Sequence, residues 1–190
     1  MNNQKFDSEE LLHLAIHASL NGRIDDSIIK LKQLLEVDPD HSNAHFLLAA
    51  DYAEIKLFDK SIFHYREVLN LRPEMSVARI QFALLLTALD NLDEAAQVLE
   101  YFSGLEGDSY EKYVHEGLIA LHHERMLEAK SALLKAIEIN VDNAVLNDDL
   151  KKIIDGIEAN FASDDSNQIG SDQGLVKGKS FLLSAYGEKD

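Results

Sequence analysis

The sequence predicts an all-α fold: an array of helix–turn–helix units that repeat every 34 residues. Three observations carry this expectation. Pro39 and Pro73 close two similar phrases, Leu35-Glu36-Val37-Asp38-Pro39 and Leu69-Asn70-Leu71-Arg72-Pro73, at an offset of 34 residues. Extending that offset gives blocks 8–41, 42–75, 76–109 and 110–143, which abut without insertion or gap. Within each block the apolar residues are spaced by three and four, which puts them on one face of a helix.

The first helices carry Leu11, Leu14, Ala15 and Ala18; Leu48, Ala49 and Tyr52; Phe82, Ala83 and Leu86; and Tyr113, Gly117 and Ala120. The second helices carry Ser27, Leu31 and Leu34; Ser61, Tyr65 and Val68; Ala95, Leu99 and Phe102; and Ala129, Leu133 and Ala136. Ala15, Ala49, Ala83 and Gly117 share one repeat position, where a small side chain lets the second helix of the pair come close. Ser8, Ser42 and Ser76 stand where first helices should begin, and Asp25, Asp59 and Asp93 where second helices should begin. An oxygen there can accept from the free N–H groups of a first turn. Asp7 with Glu10, and Asp108 with Glu111, have capping-box spacing. The turns fall at Asn21-Gly22, Lys56-Leu57, Asp90-Asn91 and Glu124-Arg125.

This pattern resembles the tetratricopeptide repeat (TPR), most closely in block 42–75 through Ala49, Tyr52, Phe58, Ser61, Tyr65 and Pro73. Two departures are visible. The family's usual Trp position holds Leu11, His45, Arg79 and Tyr113, and the last two blocks end in Gly107 and Val141 where proline is common. The resemblance implies a right-handed superhelical α-solenoid of four helix–turn–helix units. The expected TPR domain spans 8–159, and it includes a C-terminal capping helix over 144–159 that covers the last repeat with Ala144, Val145, Leu146, Leu150, Ile153, Ile154 and Ile157. Residues 160–190 are expected to be a flexible linker, rich in Ser, Asp, Asn, Gln and Gly, followed by a short apolar tail. Phe181, Leu182, Leu183 and Tyr186 in that tail form a candidate docking segment.

Composition narrows the function. The 190 residues carry a formal charge of -16, which disfavours nucleic acid and anionic lipid surfaces as partners. No cysteine is present, so disulfides, thiolate nucleophiles and Cys-based zinc sites are excluded. The N-terminal residues lack a basic start followed by an apolar run, and no apolar stretch approaches membrane-spanning length. A cytoplasmic protein is the simplest expectation, with no membrane insertion.

The resemblance implies that the first helices line a concave surface on which a partner docks. The expected contact residues are Leu12, Ile16, Asn43, Phe46, Ala50, Val77, Ile80, Gln81, Leu84, Glu111, Val114, Leu118 and Leu121. Relatives that bind acidic chaperone tails use a clamp of Lys, Asn and Arg here. This chain has Leu12, Ile16, Leu47, Val77 and Gln81 at matching positions, so an apolar or amphipathic segment is the better ligand.

His13 with His17, and His41 with His45, have the i, i+4 spacing that pairs imidazoles on one helix face, and His64 lies nearby in the array. No cysteine assists them and no acid completes a metalloprotease-like motif, so no metal or other cofactor is expected. No phosphate loop, nucleophile elbow or dinucleotide fingerprint occurs, and no catalytic residue is assigned. The expected function is a non-catalytic protein-binding scaffold, an adaptor or chaperone. The alternative is a self-associating structural or regulatory subunit, a homo-oligomer included, with the tail docking on itself or a neighbour.

Overall fold

The computed structural model describes residues 6–166, with side chains as far as Ala159. Among the described residues there are nine α-helices and no strand. They run in chain order as α1 (Ser8–Leu20), α2 (Ile24–Val37), α3 (Ser42–Glu54), α4 (Phe58–Leu71), α5 (Ser76–Ala88), α6 (Leu92–Leu99), α7 (Tyr110–His122), α8 (Met126–Ile139) and α9 (Ala144–Ser166). Each expected block holds one pair. The chain divides within α5 into two compact units, the first ending at Arg79 and the second beginning at Ile80.

In the first unit α1 packs on α2, α2 on α3, and α3 on α4. Leu11, Ala15, Leu31, Leu34, Ala44, Leu48 and Tyr52 form its core, with Leu12, Ile28, Leu35 and Leu47 packed against them. The small residues sit at the helix crossings as expected. Ser61, fully buried on α4, donates its hydroxyl to the Ala49 carbonyl of α3 at 2.7 Å, so the polar side chain is satisfied without widening the crossing. Leu14 departs from expectation: it is 40% exposed, because the core-facing stripe of α1 runs through Leu11, Ala15 and Ala18.

All four intra-pair turns share one backbone device. Gly22, Lys56, Asp90 and Glu124 adopt positive φ of 71, 60, 61 and 59°. The next residue's N–H reaches back to a carbonyl five residues earlier, from Arg23 to Ala18, Leu57 to Tyr52, Asn91 to Leu86 and Arg125 to Ala120, at 2.8–2.9 Å. This is a Schellman closure of the first helix, and only the first repeat uses glycine for it.

The caps need three corrections. Ser8 and Ser42 are first helical residues, and Asp7 and His41 cap α1 and α3 in their place. Asp7 and Glu10 form the expected box, at 2.8 and 3.0 Å. Asp25, Asp59 and Asp93 are not caps: α2, α4 and α6 already begin one residue earlier, so these acids lie in the first turn and favour the helix dipole instead. Asp108 does not cap α7 either. Ser109 accepts from Lys112 N at 3.3 Å, and Asp108 accepts from the Tyr113 hydroxyl at 2.7 Å.

In the last three blocks the position where the family carries Trp has a common role; Leu11 of the first block is a core residue instead. His45 Nε2 donates to Pro39 O at 2.9 Å, Arg79 Nη2 to Pro73 O at 2.7 Å, and Tyr113 Oη to Asp108 at 2.7 Å. Each ties a first helix to the junction that precedes it. The imidazole, guanidinium and phenol supply N–H or O–H donors, as an indole would.

In the second unit α6 ends early and passes through a 3₁₀ turn at Glu100–Phe102, after which Gly104 and Gly107, the latter at φ 84°, replace the proline junction. Phe102 still reaches its expected core place. The α8–α9 corner is an asparagine network. The buried Asn140 donates to Asn147 Oδ1 at 2.8 Å, Asn147 donates back to Asn140 O at 2.7 Å, and Asn143 Oδ1 accepts from Leu146 N at 3.0 Å. Leu146, Leu150, Ile153, Ile154 and Ile157 of α9 join the second unit's core. Ala144 and Val145 do not; both are exposed. Lys130 of α8 pairs with Glu158 of α9 at 2.7 Å. The helix runs to Ser166, past the expected end at 159.

Gly117 of α7 makes a close crossing with α8. A Cβ there would stand 2.7 Å from Leu133 Cδ2, 2.8 Å from Leu133 Cγ and 3.3 Å from the Ala129 carbonyl oxygen. Leu133 is fully buried and has little room to yield. Gly117→Ala should therefore destabilise the protein by ~1–3 kcal/mol through overpacking, although alanine is the better helix former by about 1 kcal/mol. Chemical denaturation of the variant checks this; an unchanged or raised midpoint contradicts it.

Candidate functional site

The expected contact residues separate sharply by burial. In the first unit α1 presents Leu12 and Ile16 one turn apart, and α3 presents Asn43, Phe46 and Ala50. Ile16 is 37% exposed and Asn43 is exposed, while Leu12, Phe46 and Ala50 are half-buried. Two adjacent helices thus offer an apolar strip with an amide at one end. Val77, in the first turn of α5, is also half-buried.

The expectation fails for the second unit. Ile80, Leu84, Val114, Leu118 and Leu121 are buried core residues, between 0 and 7% exposed, in the same cluster as Leu146, Leu150 and Ile153 of α9. Their inward face is filled by protein, not open to a ligand. Gln81 and Glu111 are half-buried. Burial, and then the charge and hydrogen bond of Glu111, push the Tyr110 phenol up to about 12. Glu111 is therefore engaged within its own helix. The tail residues Phe181, Leu182, Leu183 and Tyr186 lie outside the described residues.

Rigid contacts hold the first unit's strip in place. Ser19 Oγ of α1 donates to Asp51 Oδ1 of α3 at 2.9 Å, which pins the two helices at the end of the strip. Phe46 meets the Tyr65 ring of α4 edge-on, with centroids 6.4 Å apart. Asp51 itself is only 3% exposed. Burial raises its pKa above the usual 3.8; the Ser27 and Ser19 hydroxyls oppose the rise and Glu54 adds to it.

The histidines do not form one group. His13 and His17 are exposed on α1, with His17 Nδ1 3.4 Å from Arg23 Nη2. His41 Nδ1 accepts from Ala44 N at 3.1 Å and caps α3. His45 and His64 contact one another through Nδ1 at 2.8 Å. His122 Nε2 lies 3.8 Å from an Asp93 oxygen. Among the described residues, no cluster of three or more His, Cys, Asp or Glu is arranged to hold a metal ion.

Sequence reading missed Asp51, and it placed His64 near the His41 and His45 pair without anticipating the direct contact with His45. A carboxylate among Ala49, Ala50, Tyr52 and Ala53 was the available signal, since an acid on an apolar helix face needs a partner.

A carboxyl whose folded pKa is raised adds stability below its unfolded pKa, and that contribution is lost as pH climbs through the folded value. Asparagine keeps the acceptor for Ser19 and does not titrate. Asp51→Asn should therefore gain stability relative to wild type as pH rises from about 4 to about 7. Thermal melts of both proteins across that range check the sign; a difference independent of pH contradicts it.

No family model matches the sequence, and neither does any curated protein. Solved structures do match. The MamA RS-1 ArsTM double mutant is similar at a TM-score of 0.60 and 14% identity, over 97% of this chain and 96% of that one. MamA 41-end from Desulfovibrio magneticus RS-1 is similar at 0.58 and 15%, over 90% and 100% respectively. Pseudomonas aeruginosa pilF is similar at 0.57 and 19%, over 95% and 88%. MamA and pilF are both tetratricopeptide-repeat proteins, and at such identities the likeness concerns the fold. Together with the helical pairs in register with the 34-residue blocks, it gives this chain a helical-solenoid fold of tetratricopeptide type.

Proposed function

We propose that this chain is a non-catalytic binding module, an adaptor or chaperone, that holds an apolar or amphipathic segment of a partner protein against the α1/α3 face of its first unit. The observation that supports this reading is the strip of Leu12, Ile16, Phe46 and Ala50, which stays partly open while equivalent positions of the second unit are buried. Contiguous apolar surface of this kind marks interaction sites.

The strip buries an apolar ridge of the ligand, and Asn43 fixes its register through its amide. Each anchor side chain brought out of water contributes ~1.5–3 kcal/mol, so two or three of them offset the cost of ordering a short segment. The formal charge of -16 favours a partner segment that carries positive charge and disfavours nucleic acid. No helix among the described residues is long and apolar enough to cross a membrane. The reading places the protein in the cytoplasm.

Phe46→Glu and Ile16→Glu put a charge into the strip, whereas Leu127→Glu changes a residue of α8 that is 72% exposed. Loss of one anchor corresponds to a ~10–100-fold weaker complex. Capture of a partner with the wild-type chain, followed by titration of the three variants, should show that loss for the first two and wild-type affinity for Leu127→Glu. Undiminished binding by both strip variants contradicts the reading.

A further inference from the structure

The contact between His45 and His64 has a definite proton arrangement. His45 Nε2 faces the Pro39 carbonyl at 2.9 Å, and a carbonyl only accepts, so this nitrogen carries a hydrogen. The two Nδ1 atoms stand 2.8 Å apart, which requires one hydrogen between them. With both rings neutral, His64 Nδ1–H donates to the lone pair of His45. One added proton can be accommodated, since the contact still holds a single hydrogen. With both rings charged, two N–H bonds point at each other across the same gap, and the contact cannot persist.

The surroundings make that opening consequential. His45 is buried on α3, and its other nitrogen ties the helix to the α2–α3 junction. His64 on α4 is half-buried and stacks on the Tyr52 ring of α3, with centroids 5.6 Å apart and planes 13° off parallel. Phe63 meets the His64 ring edge-on at 5.1 Å. The pair thus fastens α3, α4 and the preceding junction together.

We propose that His45 and His64 form an acid-operated latch within the first unit: the contact holds α3 to α4 while the pair carries at most one positive charge, and it parts when both rings are protonated.

The charged neighbours are few. On α4 the Lys60 ammonium lies 5.2 Å over the far partner of the stack, Tyr52. In the junction, Asp38 and Asp40 flank Pro39, and the His41 ring is committed to the Ala44 amide. Burial first, and then the positive charge of His45, bring the His64 ring down from 6.5 to about 4. A folded pKa depressed in this way gives stability that is complete above about pH 6.5 and is lost as pH falls toward 4. Because α3 also carries Asn43, Phe46 and Ala50, acidification releases the helix that bears half of the apolar strip. The latch acts whether or not that strip binds a partner.

Nitrogen-15 NMR of the full chain reads the tautomers and the titration together. The expected spectrum has His45 protonated at Nε2 and His64 at Nδ1 near neutral pH, with one of the two rings resisting protonation until about pH 4. Unfolding of wild type, His64→Phe and His64→Gln is then compared between pH 7 and pH 4. Both variants abolish the second charge, and phenylalanine keeps a ring on Tyr52. The wild-type unfolding constant should rise by ~10–100-fold more than that of either variant across this range. Two rings that titrate independently near the ordinary histidine value overturn the proposal. So does a pH dependence of stability that is the same in all three proteins.

Discussion

Close helix crossings carry the structure, and in α3/α4 and α7/α8 the eighth and twentieth residues of the repeat meet there. Ala15 and Ser27, Ala49 and Ser61, Ala83 and Ala95, and Gly117 and Ala129 hold those two positions, and all are small. Backbones that approach this closely let Leu31, Tyr65, Leu99 and Leu133, four residues on along each second helix, bury themselves against the first. A larger side chain at the crossing would push the helices apart and uncover that whole row. The gain from burial is collective, while the steric requirement is local, so a few small residues control the array.

Close crossings hold the helices of a pair together, and two other devices direct the chain between helices. Schellman turns reverse the chain within a pair at a cost of about 1 kcal/mol wherever a non-glycine residue takes the left-handed conformation. Donors from His45, Arg79 and Tyr113 fasten α3, α5 and α7 to the junctions that precede them. The same repeat positions then diverge in role. Leu12, Ile16, Phe46 and Ala50 remain partly open in the first unit, whereas Ile80, Leu84, Val114 and Leu118 are absorbed into a core that also contains the α9 row. A repeat position defines where a side chain points along its helix. It does not define whether another element fills the space beyond.

That distinction explains what could be read from the residues and what could not. The 34-residue period, the small residues and the Asp7–Glu10 cap rest on local spacing, and each appears in the structure at its expected place. Exposure of the inner face is a tertiary property, and extrapolating it from apolar patterning failed for the second unit. Lys56, Asp90 and Glu124 carry no glycine signal for their positive φ, because the surrounding pair forces the turn. Ser109 caps in place of Asp108 because α7 begins at Tyr110, which leaves Asp108 one residue outside the cap, where it accepts from the Tyr113 phenol. Three of the four departures from the family's Trp turned out to be donors, two to the carbonyl of the preceding proline and one to the Asp108 carboxylate.

One repeat position is open in the first unit and closed in the second. The ninth residue of the block is Ile16 in one case and Leu84 in another, at 37% and 3% exposure. The chain has no cysteine, so Ile16→Cys and Leu84→Cys each introduce a unique thiol. Maleimide labelling of the folded proteins measures access directly. Ile16→Cys should react at nearly the rate of an unfolded control, and Leu84→Cys should be protected by ~100-fold or more, as expected of a site that reacts only through opening of the core. Equal rates at the two positions would contradict this.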